Sequence, residues 1–110
     1  MKYLITESQL DKFIFKYINL KRFIQIERGG RIYFVNSEDD EYAQIRYDKL
    51  DGQCVIKFDL IDEISSFFSL ERNDSEQVIG RWVGNTLQMK VKYILYPMTP
   101  SSLGWLRIPN

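Results

Sequence analysis

Arg22-Phe23-Ile24-Gln25-Ile26-Glu27-Arg28-Gly29-Gly30-Arg31-Ile32-Tyr33-Phe34-Val35-Asn36 decides the fold class of this chain. Two runs rich in β-branched and aromatic residues flank Gly29-Gly30. A two-residue turn of that kind needs positive φ at both positions, which glycine adopts without a side-chain penalty. The stretch predicts a tight hairpin with strands over residues 22–28 and 31–36. The period of two continues beyond it, so residues 41–48 and 53–58 read as a third and a fourth strand, joined by turn chemistry at residues 37–40 and 49–52. In the third strand Ala43, Ile45 and Tyr47 are expected on one face and Tyr42, Gln44 and Arg46 on the other. In the fourth, Cys54, Ile56 and Phe58 oppose Val55 and Lys57. One sheet face is oily and the other mixed.

Helices are expected on both sides of this meander. Before it, Leu10, Phe13, Ile14, Tyr17 and Ile18 recur at the spacing of one buried helical stripe, with Thr6 and Gln9 as a capping-box start. Phe15 falls off that stripe, as a contact residue or a partly covered edge. After it, Leu60, Ile61, Ile64, Phe67 and Phe68 make a second stripe. Val78, Ile79, Trp82, Val83 and Thr86 make a third, started by Asp74 with Gln77 and extended by its pattern towards Tyr93, with Gly80 and Gly84 weakening it by about 1 kcal/mol each. The fold class is therefore α+β: an N-terminal helix, a four-stranded antiparallel β-meander and two C-terminal helices packed on one sheet face. Residues 1–96 form a single domain. Residues 97–110, with Pro97, Pro100 and Pro109, form an irregular tail.

Composition removes whole classes of chemistry. The chain has 110 residues, enough for one core, and contains no histidine, so imidazole-based triads, dyads and zinc sites lose their central residue. Cys54 is the single cysteine, which excludes an intrachain disulfide, and its place on the oily face marks it as a small core hydrophobe. Residues 1–10 lack the apolar run of a signal peptide, and no stretch approaches the roughly 18 apolar residues of a membrane span. The expectation is a cytoplasmic protein with no membrane partner. No catalytic residue, metal ligand or cofactor site is assigned, and no cofactor is expected.

Three constellations compete for a function. Glu38-Asp39-Asp40-Glu41 lacks the alternation and glycine of a calcium loop and reads as a solvated turn, while Asp48, Asp51, Asp59, Asp62 and Glu63 are explained by turns and caps before any metal-dependent hydrolase is invoked. Lys21, Arg22, Arg28 and Arg31 lie close in sequence and, with aromatic strand residues, support an alternative reading as a nucleic-acid-binding hairpin. Phe15, together with Trp105 in the tail, supplies candidate anchors for a protein partner. Charge is unevenly laid out: seven basic and three acidic side chains in residues 1–37, four and twelve in 38–76, four and none in 77–110. The three segments carry +4, −8 and +4, an arrangement matched within the molecule or aimed at a charged partner.

The opening Met1-Lys2-Tyr3-Leu4-Ile5-Thr6-Glu7-Ser8-Gln9-Leu10, the run Tyr33-Phe34-Val35-Asn36 and Ile64-Ser65-Ser66-Phe67-Phe68 resemble small uncharacterised proteins of tailed bacteriophages, especially marine ones. The resemblance stops at the tail that begins with Tyr96. It implies a phage accessory protein made in the cytoplasm of a bacterial host, and it transfers no site residue. The sequence reading is thus a non-enzymatic protein-interaction module, binding another protein or a second copy of itself. A nucleic-acid binder is second and a hydrolase third.

Overall fold

The computed structural model describes residues 7–109. It is an α+β fold in the order α1 (Glu7–Asn19), β1 (Ile24–Arg28), β2 (Arg31–Val35), β3 (Ile45–Asp48), β4 (Gln53–Ile56), α2 (Phe58–Phe68), α3 (Arg72–Leu87), β5 (Tyr93–Leu95) and a 3-10 helix, Ser102–Leu106. The hairpin forms as its glycines require: Gly29 and Gly30 take φ of 58° and 79°, and Arg28 pairs with Arg31 across the turn. β1 to β4 make the antiparallel meander. The chain then crosses over through α2 and α3 and returns as β5, parallel to β4. The single sheet has the order β1-β2-β3-β4-β5.

β5 corrects the expectation that the third helix runs on towards Tyr93. α3 stops at Leu87 because Gln88 adopts the left-handed conformation and its N–H closes the helix on the Gly84 carbonyl. The two glycines read as helix-weakening have a packing reason. A Cβ on Gly80 would lie 2.5 Å from Ile94 Cδ1, and one on Gly84 would lie 3.0 Å from the Met89 carbonyl oxygen, so their bareness lets the returning chain lie against α3. α3 also begins earlier than expected, at Arg72. Asp74 does not cap it, and Ser75 is buried, its hydroxyl 2.7 Å from that of Ser65 on α2.

All three helices cover one sheet face. Ile14 and Ile18 of α1, Leu60, Ile61 and Ile64 of α2, and Val78, Ile79, Trp82 and Val83 of α3 bury Ile32, Phe34, Ile45, Tyr47, Cys54 and Ile56. Phe13, expected on the buried stripe, is instead 60% exposed. α3 meets α1 on the side of Ile14 and Ile18, tied by Arg81 to Asp11 at 2.7 and 2.9 Å and by Trp82 Nε1 to Asn19 Oδ1 at 2.9 Å, which turns Phe13 outward. Thr86 and Phe67 are likewise exposed. Thr6 of the expected capping box lies outside the described residues.

β3 is shorter than residues 41–48, and Ala43 does not share the face of Ile45 and Tyr47. The Gln44 N–H bonds the Phe34 carbonyl, and the Lys57 N–H bonds the Gln44 carbonyl. Ala43, one residue earlier, joins Tyr33, Val35, Val55 and Leu106 in a second cluster on the opposite face. Phe58, expected on the fourth strand, opens α2.

Candidate functional site

The second cluster exists because the C-terminal segment docks on the sheet. Tyr42 pairs with Arg107 in an antiparallel bridge, the Ala43 N–H bonds the Leu106 carbonyl at 2.8 Å, and the Ile108 N–H bonds the Glu41 carbonyl at 3.0 Å. This pairing brings Leu106, fully buried, onto Tyr33, Val35 and Val55, with Ile24, Ile26, Leu103 and Ile108 around it. Residues 97–110, read from sequence as an irregular tail, thus carry a 3-10 helix and a bridge, and they close most of the face the helices leave open.

Arg46 lies under this cover. It shares a row with Tyr33 and Val55 and is only 7% exposed. Its Nη1 donates to the Trp105 carbonyl at 2.7 Å and its Nη2 to Gln53 Oε1 at 2.9 Å, while Nε has no partner. Burial, and then the neighbouring Arg31, lower its pKa; Tyr33, Asp48 and Asp51 oppose the shift. A guanidinium held mainly by neutral oxygens offsets less of its desolvation than a carboxylate pair would. What it achieves here is positional: it grips the main chain of Trp105 and fixes where the indole stands.

The cover is incomplete by geometry. Five residues of 3-10 helix span about 10 Å at about 2.0 Å per residue, the width of two strands spaced about 4.8 Å apart. The helix packs mainly on β3 and β4. Tyr93 (61% exposed) and Leu95 (39%) stand on the same face as Gln53 and Val55, the face on which Arg46 holds the main chain of Trp105, itself 43% exposed. Trp105 and Met98 (73% exposed) line a shallow cleft with Tyr96 and Ser101. On the helical side of β5, a groove of about 260 Å³ runs between Gln77, Gly80 and Asn85 of α3 and Val91 and Ile94. Surface apolar groups gathered like this, next to a sheet edge, mark a contact site more often than scattered ones do.

The residues named from sequence separate in space. Phe15 is half-buried against the helical core and offers little to a partner; the exposed aromatic of α1 is Phe13. Trp105 lies in the site. Lys21 and Arg22 precede β1, whereas Arg28 and Arg31 lie at its far end, so the strand's length, roughly 13 Å over four steps at about 3.3 Å each, divides the basic cluster. Lys21 is paired with Glu63 and sits over the Tyr17 ring, and Arg31 is paired with Asp48 at 3.2 Å. A cleft of about 890 Å³ does open at the hairpin end, but its Arg28, Arg31 and Lys49 are interleaved with Asp48 and Asp51, and Lys49 is tied to Glu27.

Several of these carboxylates are occupied structurally. Asp40 accepts the N–H groups of Asn36 and Ser37, Asp51 that of Gln53, Asp62 pairs with Arg72, and Glu41 with Arg107. Among the described residues no three His, Cys, Asp or Glu side chains come together as a metal-holding group. Cys54 is buried, and burial pushes its thiol up to about 12, far from the thiolate a nucleophile needs. Among the described residues no helix is long and apolar enough to cross a membrane. Comparison with protein-family models, with curated proteins and with solved structures finds no match.

Proposed function

We propose that this chain is a non-enzymatic protein-interaction module, of the kind a phage accessory protein would be, and that its partner docks on the surface made by Tyr93, Leu95, Met98 and Trp105. The observation that carries this reading is the incomplete cover of the second sheet face: the tail buries Leu106 and Arg46 yet leaves these four large side chains in water beside an edge strand. Aromatic and Met side chains are the enriched anchors of protein interfaces. A nucleic-acid reading draws less support, because the four basic residues it needs stand at two ends of β1 and two of them are engaged by carboxylates.

The test is a paired affinity capture from bacterial lysate, nuclease-treated throughout, with the parent chain and the double variant Leu95→Ser, Trp105→Ala. A protein retained by the parent and lost by a folded double variant supports the reading. Equal retention by both, or no protein retained by the parent, overturns it.

A further inference from the structure

Resting on that reading, we infer that the partner element is an extended, acidic segment that adds to the open edge of β5 as a sixth strand. β5 ends the sheet order among the described residues. The Tyr93 N–H points at the Gly52 carbonyl, on the β4 side. By the alternation of a parallel pair, the N–H and C=O of Ile94 then face outward, where an incoming strand takes them. Such a strand finds a receiving surface on each side: Tyr93 and Leu95 on one, the groove lined by Gly80, Val91 and Ile94 on the other. Alternate side chains of the segment enter these two surfaces in turn.

Charge specifies the segment. Residues 77–110 contain four basic side chains and no acidic one. Arg81 is held by Asp11 and Arg107 by Glu41, but Lys90 and Lys92, exposed in the segment that leads into β5, with the Lys92 stem beside Gly52, form no ion pair among the described residues. The opposite edge differs. On β1 the exposed Glu27 and Arg28 put both signs of charge along the strand, a usual guard against edge pairing. A second copy of this chain fits the β5 edge less well than an acidic segment, because it brings a second pair of lysines without ion partners among the described residues, Lys90 and Lys92, and no acidic side chain from residues 77–110 to meet the first.

Labelled extended peptides of alternating Val and Glu, Val and Gln, and Val and Lys test this by fluorescence anisotropy with the full chain. The Glu peptide is expected to bind about tenfold tighter than the Gln peptide at low salt, with the preference lost at 1 M salt, where the screening length is about 3 Å. Lys90→Gln with Lys92→Gln should erase the preference and leave the Gln peptide's affinity unchanged. Amide exchange at Ile94 should slow on binding, a readout that needs no variant to fold. Equal affinity for the Glu and Gln peptides overturns the acidic specification, and binding without protection at Ile94 overturns strand addition. Binding of none of the peptides, or a concentration-dependent dimer abolished by Leu95→Glu, overturns the inference as a whole. The paired capture decides the underlying reading separately in each case.

Discussion

The two faces of one sheet are built by opposite means. On the helical face three helices bury an all but continuous apolar layer, from Ile14 and Ile18 through Phe34 and Cys54 to Trp82, and its few polar contacts, such as Trp82 to Asn19 and Ser65 to Ser75, are paired. On the other face a single 3-10 helix and a two-stranded bridge cover Tyr33, Val35 and Val55, and a nearly buried guanidinium stands among them with one nitrogen unpaired. Each buried apolar side chain removes area from water worth about 25 cal/mol per Å², so the first face carries most of the stability. The second gives up packing to hold Trp105 in place. On the function proposed above, stability and recognition are separated across the thickness of one sheet.

The largest expected effect belongs to the helical face. Phe34 is buried, with its ring centroid 5.2 Å from that of Trp82, and Phe34→Ala should lose about 3 to 5 kcal/mol in denaturant melts. Cys54 lies in the same layer, so its labelling by a thiol reagent should accelerate in step. A loss below about 1 kcal/mol would break the assignment of stability to this face.

Next in size is an alkaline effect on the same layer. The Cys54 thiol has its pKa raised by burial from 9.0 to about 12. A raised acid pKa gives stability that is complete below the unfolded value and declines as pH rises from 9 towards 12. At about 1.4 kcal/mol per unit the decline reaches roughly 3 to 4 kcal/mol. Stability curves of the parent and Cys54→Ala should therefore converge or cross over that window. A constant difference between them would place the thiol in a wetter setting than the sheet gives it.

Leu106→Ala probes the other face and should cost about 2 to 3 kcal/mol, the low end for a buried leucine, because the tail can settle and water can reach Arg46. Cys54 should stay as protected as in the parent under native conditions. Equal gains in Cys54 labelling from Phe34→Ala and Leu106→Ala would show that the faces open together. Gly30→Val follows, at about 1 to 3 kcal/mol, since φ of 79° strains a β-branched residue although nothing lies within 4 Å of a Cβ there.

Which parts of this were legible follows from the range of the interactions. The hairpin, the meander and the buried halves of all three helices are local patterns, and residues 22–36 alone imply the first of them. β5 was not legible, because Tyr93, Ile94 and Leu95 make a strand too short for alternation to declare itself, and because Gly80 and Gly84 show their purpose only when Ile94 and Met89 lie against them. The truncation of β3 depends on Arg107 pairing with Tyr42, a contact no periodicity encodes. Arg46 alternates with Ile45 and Tyr47 as an outward residue should, and only the tail makes outward mean buried. Leu103, Leu106 and Ile108 were the available signal, apolar residues in a segment with no predicted element to hold them. Of the two aromatics named from sequence, Trp105 is exposed and Phe15 half-buried, since a residue off the helical stripe still reaches the core edge when the stripe's centre lies at Ile14 and Ile18.

The smallest perturbation tests the comparison most directly, because the two tryptophans report one on each face. Trp82 is 4% exposed in the helical layer, and Trp105 is 43% exposed on the tail. Trp82→Phe leaves only the tail reporter and gives up the bond to Asn19, a loss of about 1 kcal/mol; Trp105→Phe leaves only the core reporter and should leave stability nearly unchanged. Acrylamide should quench Trp82→Phe several-fold more steeply than Trp105→Phe, and the emission of the former should lie further to the red. Adding the Val and Glu peptide should then shield Trp105 and leave Trp82 as it was, since the added strand covers the first and never reaches the second. If both emissions respond alike to quencher and peptide, the sheet does not separate a structural face from a recognition face, and Arg46 is left without the positional role that its grip on the Trp105 carbonyl supplies.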